Sequence, residues 1–293
     1  MAGDGSETNL HCAYSDPKYD FPVVRLTAYF FLMLEPKSYQ DDSIRAIVDR
    51  WNDNTSVLCC GEVGSGKTLI SLAALDRYQS WPALVVVPLP VLEQWAAEAH
   101  ALGWERHRVH IYHGSYRSLR TFKLWDVLLT TPETLRRELA DPEAALHSVT
   151  WKIVVVDEVH QLRRGVVLED EKIVYRNKTY QVMEQQLLRP QQPLLLLLTA
   201  TPFVNTWTDV LSLGRWLRPQ HGGTIAEWRS GAAAQQLMAA HRVDVAVPPV
   251  PATTLVDVPH TLTQEERLAY RKVHLKTIRR LQYYLRLPAR QRA

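Results

Sequence analysis

Val57-Leu58-Cys59-Cys60-Gly61-Glu62-Val63-Gly64-Ser65-Gly66-Lys67-Thr68 is the stretch whose reading decides the fold. Its first four residues are an apolar, β-like run. Glycines follow, then Lys67-Thr68, then an apolar pattern of helical spacing from Thr68 to Tyr78. Glycines let backbone amides curl around a phosphate chain, and the N-terminus of the next helix adds its dipole. In that arrangement Lys67 reaches the β- and γ-phosphates, and the Thr68 hydroxyl ligates Mg²⁺. Gly61, Glu62, Val63, Gly64, Ser65, Gly66, Lys67 and Thr68 are therefore candidate residues for binding a nucleotide such as ATP. A glycine turn matching by chance is the competing reading, and the strand–loop–helix setting argues against it.

The alternation continues on both sides. Further β-rich runs occupy Ala83–Val87, Arg108–Tyr112, Asp126–Thr130, Ile153–Val156 and Leu194–Leu198. Helical patterns lie at Val91–Leu102, Pro132–Leu139 and Thr179–Leu188, and an earlier one between Ser38 and Trp51 takes Ser38 as its N-cap. Thr131 before Pro132 reads as an N-cap followed by proline at the first helical position. Apolar runs without alternating polar residues imply strands covered on both faces, so the fold class is α/β with a parallel sheet. Ligands of such sheets bind beyond the carboxyl ends of the strands.

Two further strand ends carry polar groups. Ile153-Val154-Val155-Val156 reads as a central strand and runs into Asp157-Glu158-Val159-His160. Paired carboxylates are costly to bury without a cation. Asp157 is thus a candidate Mg²⁺ ligand through the nucleotide, and Glu158 is placed to orient or deprotonate a water. A solvated, salt-bridged strand end is the bland alternative. Thr199-Ala200-Thr201-Pro202 follows Leu194–Leu198, where hydroxyls could hydrogen-bond Glu158 and sense the γ-phosphate; alone it is a common turn.

The remaining sequence sets bounds. Hydrophobic residues make up 46% and charged residues 22%, as in a soluble globular protein, and the net charge is only +3. Cys12, Cys59 and Cys60 form neither a disulfide framework nor a metal-ligand pattern. Met1 to Asn9 has no secretory character, and Leu194–Leu198 is too short to span a bilayer. The expectation is an intracellular protein, nuclear or cytoplasmic, that is not secreted and has no membrane partner. Residues 1–20 read as a loose tail and 21–240 as the nucleotide-binding domain. Residues 241–293 read as a Pro248–Pro251 linker and a basic helix opened by a Thr263/Glu266 capping box.

Together these residues resemble the Swi/Snf-type branch of superfamily two helicases and DNA translocases, over most of residues 34 to 260. Leu34, Pro36, Tyr39 and Gln40 resemble its adenine-reading segment, with Gln40 as the adenine contact. Gly61 to Thr68 is similar to motif I. Val85 to Pro88 with Gln94-Trp95 is similar to motif Ia, and His113-Gly114-Ser115 to the segment after it. Thr130 to Leu135 is similar to Ib, Asp157 to His160 to a DExH motif II, and Thr199 to Pro202 to motif III. Asn205, Asp209, Leu211 and Leu213 are similar to the helix beyond.

The resemblance implies a P-loop NTPase lobe of RecA-like fold that binds ATP and Mg²⁺. It implies Lys67, Asp157 and Glu158 as catalytic residues, and His160, Thr199 and Thr201 as coupling residues. It also implies duplex DNA as partner, gripped by its backbone at Pro88–Leu92, His113–Tyr116 and Thr130–Glu133.

The sequence departs from the family in three places. Gly61-Glu62-Val63-Gly64 replaces the branch's acidic-methionine version. Gly165 to Tyr175 reads as an insertion of unassigned role. The second RecA-like lobe is expected to be missing, with full activity then requiring a separately encoded one. Two readings stay open on sequence: a DNA-stimulated, helicase-type ATPase lobe that hydrolyses weakly alone, and a nucleotide-binding module without useful turnover. The basic C-terminal helix reads as a phosphate contact, as a spur on a second lobe or, slightly favoured, as a solvated face.

Overall fold

The computed structural model describes residues 34–162, 165–169, 172–201, 207–217, 236–237, 239–248, 261, 263–269 and 271. Strands and helices alternate along it. The first elements are α1 (Ser38–Asn52), β1 (Val57–Cys60), α2 (Lys67–Tyr78), β2 (Ala83–Val86) and α3 (Leu92–Ala101). Next come β3 (Val109–Ile111), β4 (Val127–Thr130), α4 (Pro132–Ala140) and β5 (Ile153–Val156). A hairpin of β6 (Val166–Glu169) and β7 (Lys172–Tyr175) precedes α5 (Lys178–Met183) and the short α6 (Arg189–Gln191). β8 (Leu194–Thr199), α7 (Trp207–Leu217) and β9 (Arg242–Asp244) complete the series.

Seven strands pair in the order β3-β4-β2-β5-β8-β1-β9, and every pairing is parallel. Side chains alternate across each strand, and here both sides are buried. Val57, Cys59, Val85, Ile153, Val155 and Leu196 face a core completed by Ile44, Ile47, Ile70, Leu75 and Trp95 of α1, α2 and α3. Leu58, Leu84, Val86, Val154 and Leu197 face a second core with Leu135 of α4, Met183 of α5 and Trp216 of α7. Helices thus cover both faces, which is why the strands carry almost no polar residues. No described helix is long and apolar enough to cross a membrane.

Three elements differ from the sequence reading. Ser38 is not the cap of α1: Lys37 occupies that position, and its N–H donates to Gln40 Oε1 at 2.9 Å. Gln40, at the third helical position, thus supplies the returning half of a capping box by accepting the N–H of the cap residue itself. Arg242–Asp244, assigned to the linker, form β9 in register with Leu58–Cys60. Three residues are too few to show a period, so no pattern marks this strand. The insertion at 165–175 is the β6–β7 hairpin, with Val166 paired to Tyr175. It leaves room for nothing at Gly165, where a Cβ would meet the Tyr180 ring at 2.2 Å.

Helix α5 widens into a π-helical turn at Glu184–Leu188. Glu184 is 1% exposed, and its carboxylate pairs with Arg215 of α7 and, at 2.7 Å, with Arg189. Tyr180 stacks on Trp216 beside this pair, 4.6 Å between rings, and its hydroxyl donates to Ser212 O at 2.7 Å.

Contacts divide the chain after Pro248. In the second unit Thr263 and Glu266 make the expected capping box, Thr263 N donating to Glu266 Oε2 and Glu266 N to Thr263 Oγ1. The tail at 1–20, the prolines after 248 and the basic residues from Lys272 on lie outside the described residues.

Removing one partner of a buried charge pair strands the other. Arg215→Met is expected to lower the unfolding free energy by about 3 kcal/mol, the low end of such effects because Arg189 still reaches Glu184. Urea denaturation of both proteins measures it, and equal midpoints would remove the pair as a stabilising contact.

Candidate functional site

Parallel pairing brings the predicted polar residues to one edge of the sheet. Following the strand order, the segments after β3, β4 and β2 come first: His113–Tyr116, Thr130–Glu133 and Pro88–Leu92. Asp157-Glu158 after β5, Thr199–Thr201 at the end of β8 and the glycine loop after β1 follow. The three segments that the resemblance assigns to DNA are thus neighbours, and so are the three it assigns to the nucleotide.

The loop is shaped by its glycines. Gly64 and Gly66 both have φ of +83°, which side-chain-bearing residues adopt only under strain. Lys67 opens α2, and its ammonium donates to the carbonyls of Gly61 at 2.8 Å and Glu62 at 3.0 Å. The ammonium therefore lies across the loop. Glu62 and Val63 point outward, with Val63 89% exposed, so these two line the loop by backbone alone. Gly61 N donates to Thr199 O at 3.1 Å, tying the loop to the end of β8.

The departure at Gly61 has a steric cause. A Cβ there would lie 2.6 Å from Ser65 Oγ and 3.0 Å from Val245 Cβ. Ser65 is fully buried, and Val245, just past β9, closes the other side. An acidic side chain would not fit.

Gln40 is buried against the same loop. Its Nε2 donates to Ser65 O at 3.3 Å, and a Cβ on Gly66 would sit 2.2 Å from that nitrogen. With Oε1 held by Lys37 N–H, the side chain brackets the loop from α1.

Asp157 and Glu158 follow β5. Asp157 Oδ1 accepts the Glu158 N–H at 2.8 Å, and Oδ2 accepts the Trp95 indole N–H at 3.3 Å. Burial raises the pKa of Asp157, and the Glu158 charge adds to the effect; the two hydrogen bonds and the Lys67 charge oppose it. Glu158 sits at φ +49°, a left-handed conformation that is unfavourable for a side-chain-bearing residue and that clusters at functional sites.

His160 Nδ1 lies 2.8 Å from Glu158 Oε2 and 3.5 Å from Thr199 Oγ1, while Thr201 N donates to Thr199 Oγ1 at 3.0 Å. The Thr199 hydroxyl thus meets His160, not Glu158 as the sequence suggests. Both groups approach the same ring nitrogen, so Glu158 and Thr199 meet on one side of the imidazole.

No group of three or more His, Cys, Asp or Glu that could hold a metal occurs among the described residues. One desolvated carboxylate, Asp157, suits Mg²⁺ arriving on phosphates, since this ion is usually held by few carboxylates together with phosphate oxygens; Thr68 is the hydroxyl that the sequence reading adds to it.

The model of the SNF2-related domain matches residues 39–246. The chain belongs to this family. The SNF2-related lobe is 30% identical over 210 residues to the ATP-dependent helicase brm of Drosophila melanogaster, covering 66% of this chain and 12% of that protein. It is 27% identical over 205 residues to chromodomain-helicase-DNA-binding protein 7 of Homo sapiens, covering 62% of this chain and 6% of the relative. The chain therefore spans a small part of the relatives' length. The Sulfolobus solfataricus SWI2/SNF2 ATPase core in complex with dsDNA shares its fold, with a TM-score of 0.55 and 22% identity. That match covers 76% of this chain and 47% of the other. This agrees with a RecA-like ATPase lobe.

Trp95 and Val245 are contributors that sequence reasoning misses. Trp95 stands in the stretch similar to motif Ia, and its 62-residue separation from Asp157 leaves no local pattern. Gly66→Ala is expected to cost on the order of 1–2 kcal/mol through the left-handed backbone alone. It also pushes Gln40 off Ser65. Thermal unfolding checks this, and an unchanged midpoint would mean that the loop tolerates another conformation.

Proposed function

We propose that this SNF2-related lobe binds Mg-ATP at the loop after β1 and grips the backbone of duplex DNA at the segments after β2, β3 and β4. The observation that carries the reading is the order of polar segments along one sheet edge, with Lys67, Asp157, Glu158 and Thr199 on adjoining strand ends.

The Lys67 ammonium exchanges two loop carbonyls for phosphate oxygens. Gly64 and Gly66 give the backbone the curvature that aims amides at the same oxygens. Gln40, held against Ser65, uses its remaining amide capacity to read adenine. Asp157 and the Thr68 hydroxyl would hold Mg²⁺, which would supply positive charge against the phosphates. Glu158 orients the attacking water and takes its proton. His160 and Thr199 tie that carboxylate to the end of β8 and, through Thr199 O, to Gly61 of the loop.

Stabilising the transferred phosphoryl group calls for arginines facing the cleft, which in the family come from a second RecA-like lobe. An arginine finger contributes on the order of 10³–10⁵ in rate in P-loop enzymes. Helicase-type turnover accordingly depends on such a lobe, in this polypeptide or another, and the lobe alone hydrolyses ATP slowly. An intracellular, nucleic-acid-containing compartment suits this role.

Lys67→Ala is expected to weaken binding of a slowly hydrolysed ATP analogue roughly tenfold to a hundredfold, the loss of one charge-assisted contact. Glu158→Gln keeps that affinity and abolishes hydrolysis. Calorimetric titration and a steady-state assay read the two effects. Equal affinity for wild type and Lys67→Ala would sink the phosphate assignment.

Duplex DNA binding is expected to be sequence-independent and to fall about tenfold or more between 50 and 200 mM salt, as contacts to phosphates do. Gel-shift titration at both salt concentrations measures it. Binding that ignores salt would count against a backbone grip.

A further inference from the structure

We infer that Trp95 is a positioning residue for the Mg²⁺ site, its indole N–H holding the Asp157 carboxylate in the orientation that receives the metal. The inference rests on the Mg-ATP reading above and assigns to it a residue outside the strand ends.

Trp95 lies in the first turns of α3, directly after the Pro88–Leu92 segment. It is 1% exposed and packs in the core under β2 and β5. A buried indole needs a partner for its N–H. Nε1 finds it 3.3 Å away in Asp157 Oδ2.

A carboxylate at a strand end can rotate about its last bond, and hydrogen bonds on both oxygens define that rotation more narrowly than one would. Glu158 N–H restrains Oδ1 at 2.8 Å, and the indole restrains Oδ2. The two donors approach opposite oxygens and leave a lone pair on each for a cation. No lysine, arginine or histidine makes an ion pair with Asp157 among the described residues. The orientation therefore depends on these two neutral donors. Partners of metal-ligating groups typically contribute ten- to a hundredfold in metal affinity.

The test uses the full chain and calorimetric titration with a slowly hydrolysed ATP analogue, in Mg²⁺ and in EDTA. The variants are Trp95→Phe and Trp95 replaced by 3-benzothienylalanine, in which sulfur stands for the N–H at nearly constant volume. The expected result is a loss of about tenfold in the affinity gained on adding Mg²⁺. Affinity in EDTA, which reports the glycine loop, stays unchanged.

A gain equal to wild type in a folded variant would overturn the inference. An equal loss in Mg²⁺ and EDTA would also overturn it, because that is the signature of disturbed packing. Should Trp95→Phe fail to fold, the isosteric variant decides alone. A wild-type chain with no Mg²⁺-dependent gain would refute the Mg-ATP reading itself, and this assignment with it.

Discussion

Seven strands running the same way force every strand-to-helix turn onto one edge of the sheet. Everything else follows from that constraint. Each return to the opposite edge needs a crossover, so helices cover both faces and the central strands become almost wholly apolar. Polar residues are expelled to the strand ends, and parallel direction collects them in a row. The chemistry of the site is therefore a by-product of hydrogen-bond direction: residues as distant in sequence as Lys67, Asp157 and Thr199 become neighbours because β1, β8 and β5 are adjacent.

The row is held together by polar contacts that each cost something to maintain. Asp157 is desolvated and Glu158 is kept in a left-handed backbone conformation. Glu184 is buried with Arg215 beneath the hairpin. Pairs of this kind add little net stability compared with apolar packing, but they are sensitive to misplacement. Strain beside the phosphate loop and a buried ion pair between α5 and α7 give the lobe defined positions for the segments that flank β8.

Most of this was legible in the sequence where a residue type is tied to a local period. The runs Val57–Cys60, Ile153–Val156 and Leu194–Thr199 could be read as buried strands because their apolar residues are uninterrupted, and Thr131 because a hydroxyl precedes Pro132. The glycine loop was legible because its backbone shape demands glycine at fixed intervals. What stayed hidden depends on partners far away in the chain. β9 is three residues long and pairs with a strand formed nearly two hundred positions earlier. The π-helical turn is marked by no residue preference, only by the charge of Glu184 meeting Arg215. Trp95 looks like any core tryptophan until the fold brings it under Asp157. The start of α1 was misplaced by one residue because Ser38 is the better cap by type, while Lys37 holds the position through the Gln40 side chain accepting its N–H.

The place of β9 has a consequence for how the lobe is made. β1, which leads into the glycine loop, is paired on one side by β8 and on the other by β9. Val245 N–H donates to Cys60 O at 2.8 Å, Val245 packs against Gly61, Arg50 reaches the carbonyl of Ala240 and His241 that of Ser56. All these contacts join the beginning of the domain to its end. A ribosome delivers the glycine loop early and its last wall late. Until Arg242 to Val245 emerge, β1 is an edge strand with open hydrogen-bonding groups, and one side of the loop faces solvent. Closing so long a loop carries an entropic cost that only the finished sheet offsets. The surroundings of the glycine loop are thus among the last parts of the lobe to be completed during synthesis, although the loop itself belongs to its early portion.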